Sequence, residues 1–249
     1  MSDNNNGLLD NKWTGAAAGL FAAGVLGFGL ILAGLAVGNG IVSSRLNDRS
    51  VTVRGVAEKG VTADLAFWPI RYSSTGDDLT GVLRTVDNDT QTVRKFLTDQ
   101  GFKPDEVFLG QIEVTDNYAS GYQQNVASRY VIAQTVNVRT NEVRRVTDSY
   151  RKMGDLVRRG VVLQNWQGPS YIFTKLNDVR PAMIAEATKS ARTGAQQFAD
   201  DSGSRLGGIK DATQGYFEIQ PRDAGDNTSE SQQVDKTVRV VTTVTYRLK

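Results

Sequence analysis

Residues 13–44 carry no charged side chain, and the apolar part of this run, residues 15–38, is 24 residues long and contains seven glycines. As a helix it would measure about 36 Å, enough to span a hydrocarbon core of about 30 Å with some tilt. A secretory signal has a shorter apolar region, roughly 7–15 residues, closed by a small-x-small cleavage site. Here the run ends in LAVGNGIVSSRL without a convincing A-x-A. The expectation is therefore an uncleaved anchor over residues 13–42. A polar tail (1–12) precedes it, and a short linker (43–49) leads to a domain over 50–249. The lipid bilayer is the first expected partner.

Gly15 and Gly19 form G-x-x-x-G, Ala23 and Gly27 continue that ridge, and Gly34 and Gly38 form a second pair. Small residues on one face let helix backbones approach closely in lipid. These six residues are the candidate packing positions for self-association, although small residues are also common in membrane helices generally. Orientation is contested by the flanking charges. Lys12 lies on one side and Arg45, Arg49, Arg54 and Lys59 on the other, which by the positive-inside rule keeps the large domain cytoplasmic.

About 200 residues remain, a length for one large domain or two small ones. They contain no cysteine and no histidine. Disulfides are excluded, as are Ser-His and Cys-His nucleophilic sites, and zinc, copper and haem lose their usual ligands. The net charge of +2 gives no nucleic-acid footprint. No cofactor, metal or small-molecule partner is called for.

Along the domain the hydrophobic period switches repeatedly between two and 3.6. Residues 50–57 and 61–74 read as a hairpin turning at Lys59-Gly60. Residues 77–101 read as a helix with a stripe of Leu79, Val82, Leu83, Val86, Val93 and Leu97 and a terminal Gly101. Strands follow at 106–115 and 126–139, then a helix at 141–158 (Val143, Val146, Tyr150, Met153, Val157) closed by Gly160. Short strands at 161–166 and 170–175 precede a helix at 178–203, with Pro181 in its first turn and Gly203 or Gly207 at its end. Strands at 209–220 and 236–248 finish the chain, the last alternating Val238, Val240, Val244, Tyr246 and Leu248 against Arg239, Thr243 and Arg247. The order ββ-α-ββ-α-ββ-α-ββ predicts an α+β fold of repeated ββα units with mostly antiparallel sheets. Residues 221–236, polar and without aromatics, read as a mobile loop. Ala187, Ala191, Ala195 and Ala199 recur every four residues, a row suited to close packing in the core or against another subunit.

Several motifs resemble those of one family. VTVRGVAEKGVTADLAFWPI resembles the opening strands of SIMPL-domain proteins. VRKFLTDQGFKPDEVFLGQIEV is similar to that family's helix, glycine and strand. GAQQFADDSGSRLGGIKDA is similar to its late alanine-rich helix followed by L-G-x-I, and VRVVTTVTYRL resembles its closing strand. The ordered set runs from Val51 to Leu248. In one departure, Arg129 stands where the family tends to have glycine. The resemblance implies an exported, envelope-associated bacterial protein of α+β fold, with relatives that form homo-oligomeric rings or cages and some linked to oxidative stress. It supplies no catalytic residues. Set against the flanking charges, it favours a single-pass inner-membrane protein with a periplasmic domain.

Chemical motifs are sparse. Ser149 and Lys152 have the S-x-x-K spacing of acyl-transfer sites but fall on a helix rich in Arg and Asp, where i,i+4 pairs such as Asp148–Lys152 and Asp155–Arg159 read as a solvated face. Asp87-Asn88-Asp89 lacks the glycine and glutamate of a calcium loop. In the loop DNYASGYQQN, Tyr118 and Tyr122 flank Ala-Ser-Gly and are the candidate subunit or ligand contacts. The leading expectation is a non-enzymatic, membrane-anchored protein that self-assembles. The alternative is a monomeric or dimeric periplasmic module that binds a small ligand or damaged protein.

Overall fold

The computed structural model describes residues 27, 29–31, 33–35, 37–38, 49–119, 127–164, 168–223, 225 and 229–249. Among them no helix is long and apolar enough to cross a membrane. Most of the expected anchor, including Gly15, Gly19 and Ala23, lies outside the described residues. Gly27, Gly34 and Gly38 are helical, with open space where a Cβ would stand.

The elements are β1 (Ser50–Thr62), β2 (Leu65–Gly76), α1 (Leu79–Asp99), β3 (Val107–Asp116), β4 (Tyr130–Thr140), α2 (Val143–Tyr150), α3 (Gly154–Arg158), β5 (Leu163–Gln164), β6 (Ser170–Ile172), α4 (Leu176–Asp201), β7 (Leu206–Pro221) and β8 (Asp235–Leu248), with 3-10 turns at Pro104–Glu106 and Glu230–Gln232. This is the expected α+β order. A three-stranded sheet runs β1-β8-β7 and a five-stranded sheet runs β3-β4-β2-β5, with β6 also pairing β2. The pairs β2–β4, β2–β5, β2–β6 and β3–β4 are antiparallel.

The chain divides into two compact units. One takes its described residues from Met1–Arg54, Ala191–Thr213 and Thr243–Lys249; the other is Gly55–Ser190 with Gln214–Thr242. In the first, Ala191 and Ala195 of α4 pack against Val53, Val244 and Tyr246. The alanine row thus serves the core, since its four members are fully buried. In the second, α1 lies on β2 and β4 over Trp68, Ile70, Tyr72, Val86, Val93, Phe96, Leu97 and Val136. A separate cluster there joins Ala57, Met183, Ala187, Val238 and Val240.

Helix boundaries follow local chemistry. The Asp78 carboxylate caps α1 by accepting from the N–H groups of Thr80 and Gly81 at 3.3 and 2.9 Å, satisfying two of the first-turn donors that lack helical partners. At the other end Gly101 adopts φ 85°, the Phe102 N–H reaches the Leu97 carbonyl and the Gly101 N–H reaches that of Thr98. Leu97 and Phe102 then meet in the core. That is a Schellman motif with its hydrophobic contact. It recurs at Gly160 after α3 and at Gly203 after α4, where Val161 bonds Leu156 and Ser204 bonds Ala199.

Four expectations are corrected. β1 and β2 are not a hairpin: Lys59-Gly60 lies within β1, and the two strands enter different sheets. The chain turns instead at Ala63-Asp64, where Ala63 donates to the Val234 carbonyl and the Asp64 carboxylate accepts from the Thr174 N–H and hydroxyl at 2.6 and 2.7 Å. The expected helix over 141–158 is two helices, broken at residues 151–153; Val143 and Val146 are buried in the first and Leu156 in the second, while Val157 is exposed. Pro181 sits at the sixth residue of α4, beyond its first turn. On α2 and α3 the ion pairs close at i,i+3, Asp148–Arg151 at 3.6 Å and Asp155–Arg158 at 3.4 Å; the break separates Asp148 from Lys152, and Arg159 lies instead 4.0 Å from Asp99.

Candidate functional site

At the end of β3 and the start of β4, Arg129 joins four residues. Its N–H donates to the Asp77 carboxylate at 2.9 Å, and its guanidinium pairs with Asp116 at 3.0 Å. The same guanidinium lies 4.8 Å from the Tyr130 ring centre and 5.8 Å from that of Tyr118, within cation–π range. The hydrogen bonds from Arg129 hold the Asp116 carboxyl below its ordinary value. Arg129 thus ties the ends of β3 and β4 to Asp77, the residue before the α1 cap. Tyr118 remains 60% exposed. Tyr122 lies outside the described residues, as do 120–126 in general.

β3 is an edge strand, and its register with β4 slips between Leu109 and Ile112. Gly110 is required there: a Cβ would stand 2.8 Å from the Asn137 side chain and 3.2 Å from the Thr135 carbonyl. The amide of Gln134 donates to the carbonyls of Gly110 and Thr135, so the bulge is internally satisfied. Bulges and ion pairs are common devices for blunting a sheet edge, and Glu113 adds the second through a two-pronged pair with Arg71 at 2.7 and 2.8 Å.

Beside β3, a pocket of about 170 Å³ is lined by Arg94 and Thr98 of α1, Phe102, Lys103 and Pro104 of the connection, and Val107. Its lining combines the apolar Phe102, Pro104 and Val107 with the cationic Arg94 and Lys103. Neither Arg94 nor Lys103 forms an ion pair within 4 Å among the described residues, although the Lys103 charge acts on Glu106 at longer range. The neighbouring Glu106 is turned elsewhere, accepting from the Lys103 N–H and the Thr140 hydroxyl and lying 3.6 Å from Arg145. Burial would raise the Glu106 carboxyl, but these partners outweigh it and hold it low. The space is below the roughly 300–1,000 Å³ of small-molecule sites.

The Ser149/Lys152 pair is not assembled as a dyad. Ser149 is buried, and the Lys152 amine donates instead to the Gln100 amide oxygen at 2.8 Å. One buried cation was not anticipated from sequence. Lys236 is fully buried on the inner face of β8 and its amine meets both the carboxylate and the carbonyl of Glu230 at 2.5 Å. The signal was present in the alternation, since Lys236, Val238 and Val240 share one face.

The fold is thus an α+β domain whose conspicuous features are sheet edges, an arginine-centred strand clamp and a shallow cation-lined pocket. Residues 51–246 match the SIMPL family, described as a protein of unknown function (DUF541), and the chain belongs to that family. The family description carries no enzymatic activity. No curated protein matches the chain.

Proposed function

We propose that this is a non-enzymatic inner-membrane protein, anchored by residues 13–42, whose periplasmic domain self-assembles into a homo-oligomeric ring- or cage-like scaffold. The observation that carries the reading is β7. It is 16 residues long, has β8 on one side and no strand on the other among the described residues, and exposes Ile209 and Tyr216, the latter 98% exposed. Natural sheets usually blunt such an edge, as β3 is blunted by its bulge and ion pair; β7 carries Lys210, Asp211 and Glu218, but its middle stretch from Ala212 to Phe217 has no charge. A long strand left open with an exposed aromatic is an association surface. The uncharged glycine-rich run supports the anchor and its close helix packing. Gathering anchors under one assembly raises their local concentration.

Size exclusion with light scattering on the detergent-extracted full-length chain tests the reading. A discrete multiple of 27.1 kDa is expected. A single-chain mass would refute the scaffold and leave the binding module in its place.

A further inference from the structure

No ion pair within 4 Å holds either cation of the pocket among the described residues, Lys103 interacting with Glu106 only at longer range, and one exposed apolar side chain of the chain carries the complementary chemistry. Phe198 on α4 is 60% exposed. Within three residues on either side it has two carboxylates, Asp200 and Asp201, and no base. Asp201 is three residues on, on the same helix face as Phe198. The Gln196 amide holds Asp200 at 2.8 Å and the Gln197 amide holds Asp201 at 3.0 Å, so both carboxylates are positioned. Neither forms an ion pair among the described residues.

Their location costs stability in the single chain. They close the last turn of α4, which contains no basic residue, and negative charge at a helix C-terminus opposes the macrodipole. A cationic partner from outside would relieve this. The pocket offers one at matching scale. A cavity of roughly 150 Å³ accepts a benzene ring, and this pocket measures about 170 Å³ with Phe102, Pro104 and Val107 in its lining.

We infer that Phe198 of one copy inserts into the pocket of the next, with Asp201, on the same helix face, paired to the cations Arg94 and Lys103 and Asp200 adding its charge at the same helix end. The inference rests on the self-assembling reading above and names its contact. The two surfaces differ, so the contact is head-to-tail. Repeated around an axis it closes a ring, and if the rotation fails to close it makes a filament. An aromatic anchor in a pocket with charges at the rim is also the usual anatomy of a binding hot spot.

The test uses charge reversal in the full-length chain, with mass read by light scattering. Arg94→Glu/Lys103→Glu and Asp200→Lys/Asp201→Lys each place like charges across the contact, and each variant is expected to fall from the assembly to the single-chain 27.1 kDa. The chain with all four substitutions restores opposite charges and is expected to regain the wild-type mass, which misfolding could not produce. A wild-type chain of single-chain mass would overturn the self-assembling reading itself. Paired variants that keep the full mass would overturn this contact while leaving that reading intact. A fourfold variant that stays at single-chain mass would overturn it equally.

Discussion

Two adjacent residues of α4 should respond in opposite directions. Gly194 is in the helix interior with nothing within 4 Å of the position a Cβ would take. Ala195 beside it is fully buried against Val53, Val244 and Tyr246. Gly194→Ala removes backbone freedom from the unfolded chain and adds a side chain in open space, a gain of about 0.5–1 kcal/mol. For a domain of this size that is a rise of about 1–4 °C in Tm. Ala195→Leu must push three extra carbons into a filled core, a cost of about 1–3 kcal/mol or roughly 2–12 °C. Thermal and urea unfolding followed by circular dichroism would read both, with an unchanged urea slope showing that the same surface is exposed on unfolding. A neutral Ala195→Leu would refute the assignment of the alanine row to the core and return it to a surface role.

Asp78→Ala removes both cap bonds at the start of α1 and should cost about 1 kcal/mol, read as a lower urea midpoint. Thr242→Val replaces a buried hydroxyl that has no hydrogen-bond partner among the described residues and should leave stability equal or higher by up to about 1 kcal/mol; a marked loss would reveal a partner. Glu106 is held below its unfolded value of about 4.3 despite burial, by the Lys103 N–H, the Thr140 hydroxyl and Arg145. Its contribution is therefore present above that pH and is lost as pH falls through the lower folded value. Glu106→Gln should flatten this acid-side decline in unfolding free energy, and an unaltered pH profile would count against it.

Local chemistry was the legible part of this chain. Gly101, Gly160 and Gly203 mark helix ends because a left-handed residue closes a Schellman motif, and that requirement is local. The alternation of β8 from Val238 to Leu248 was legible for the same reason, although Lys236 at its start was not read as a buried member of that face. Pairing was not. Period-two patterning through residues 50–74 identifies extended chain but not its partner, and the turn at Asp64 is fixed by Thr174, far along the sequence. The break at residues 151–153 was hidden because Val143, Val146 and Met153 suit one helix or two. Arg129 stood out only as a departure from its family, since its partners Asp77, Asp116, Tyr118 and Tyr130 come from separate segments. The pocket drew no notice in the sequence because its six residues straddle a helix end, a connection and a strand.

Self-association in the membrane is most directly read by amine-reactive cross-linking of the full-length protein in its own, undisrupted membranes, resolved on a denaturing gel. The scaffold predicts a ladder of multiples of 27.1 kDa that ends at one largest species as cross-linker is increased. A single-chain band at every cross-linker concentration would contradict it.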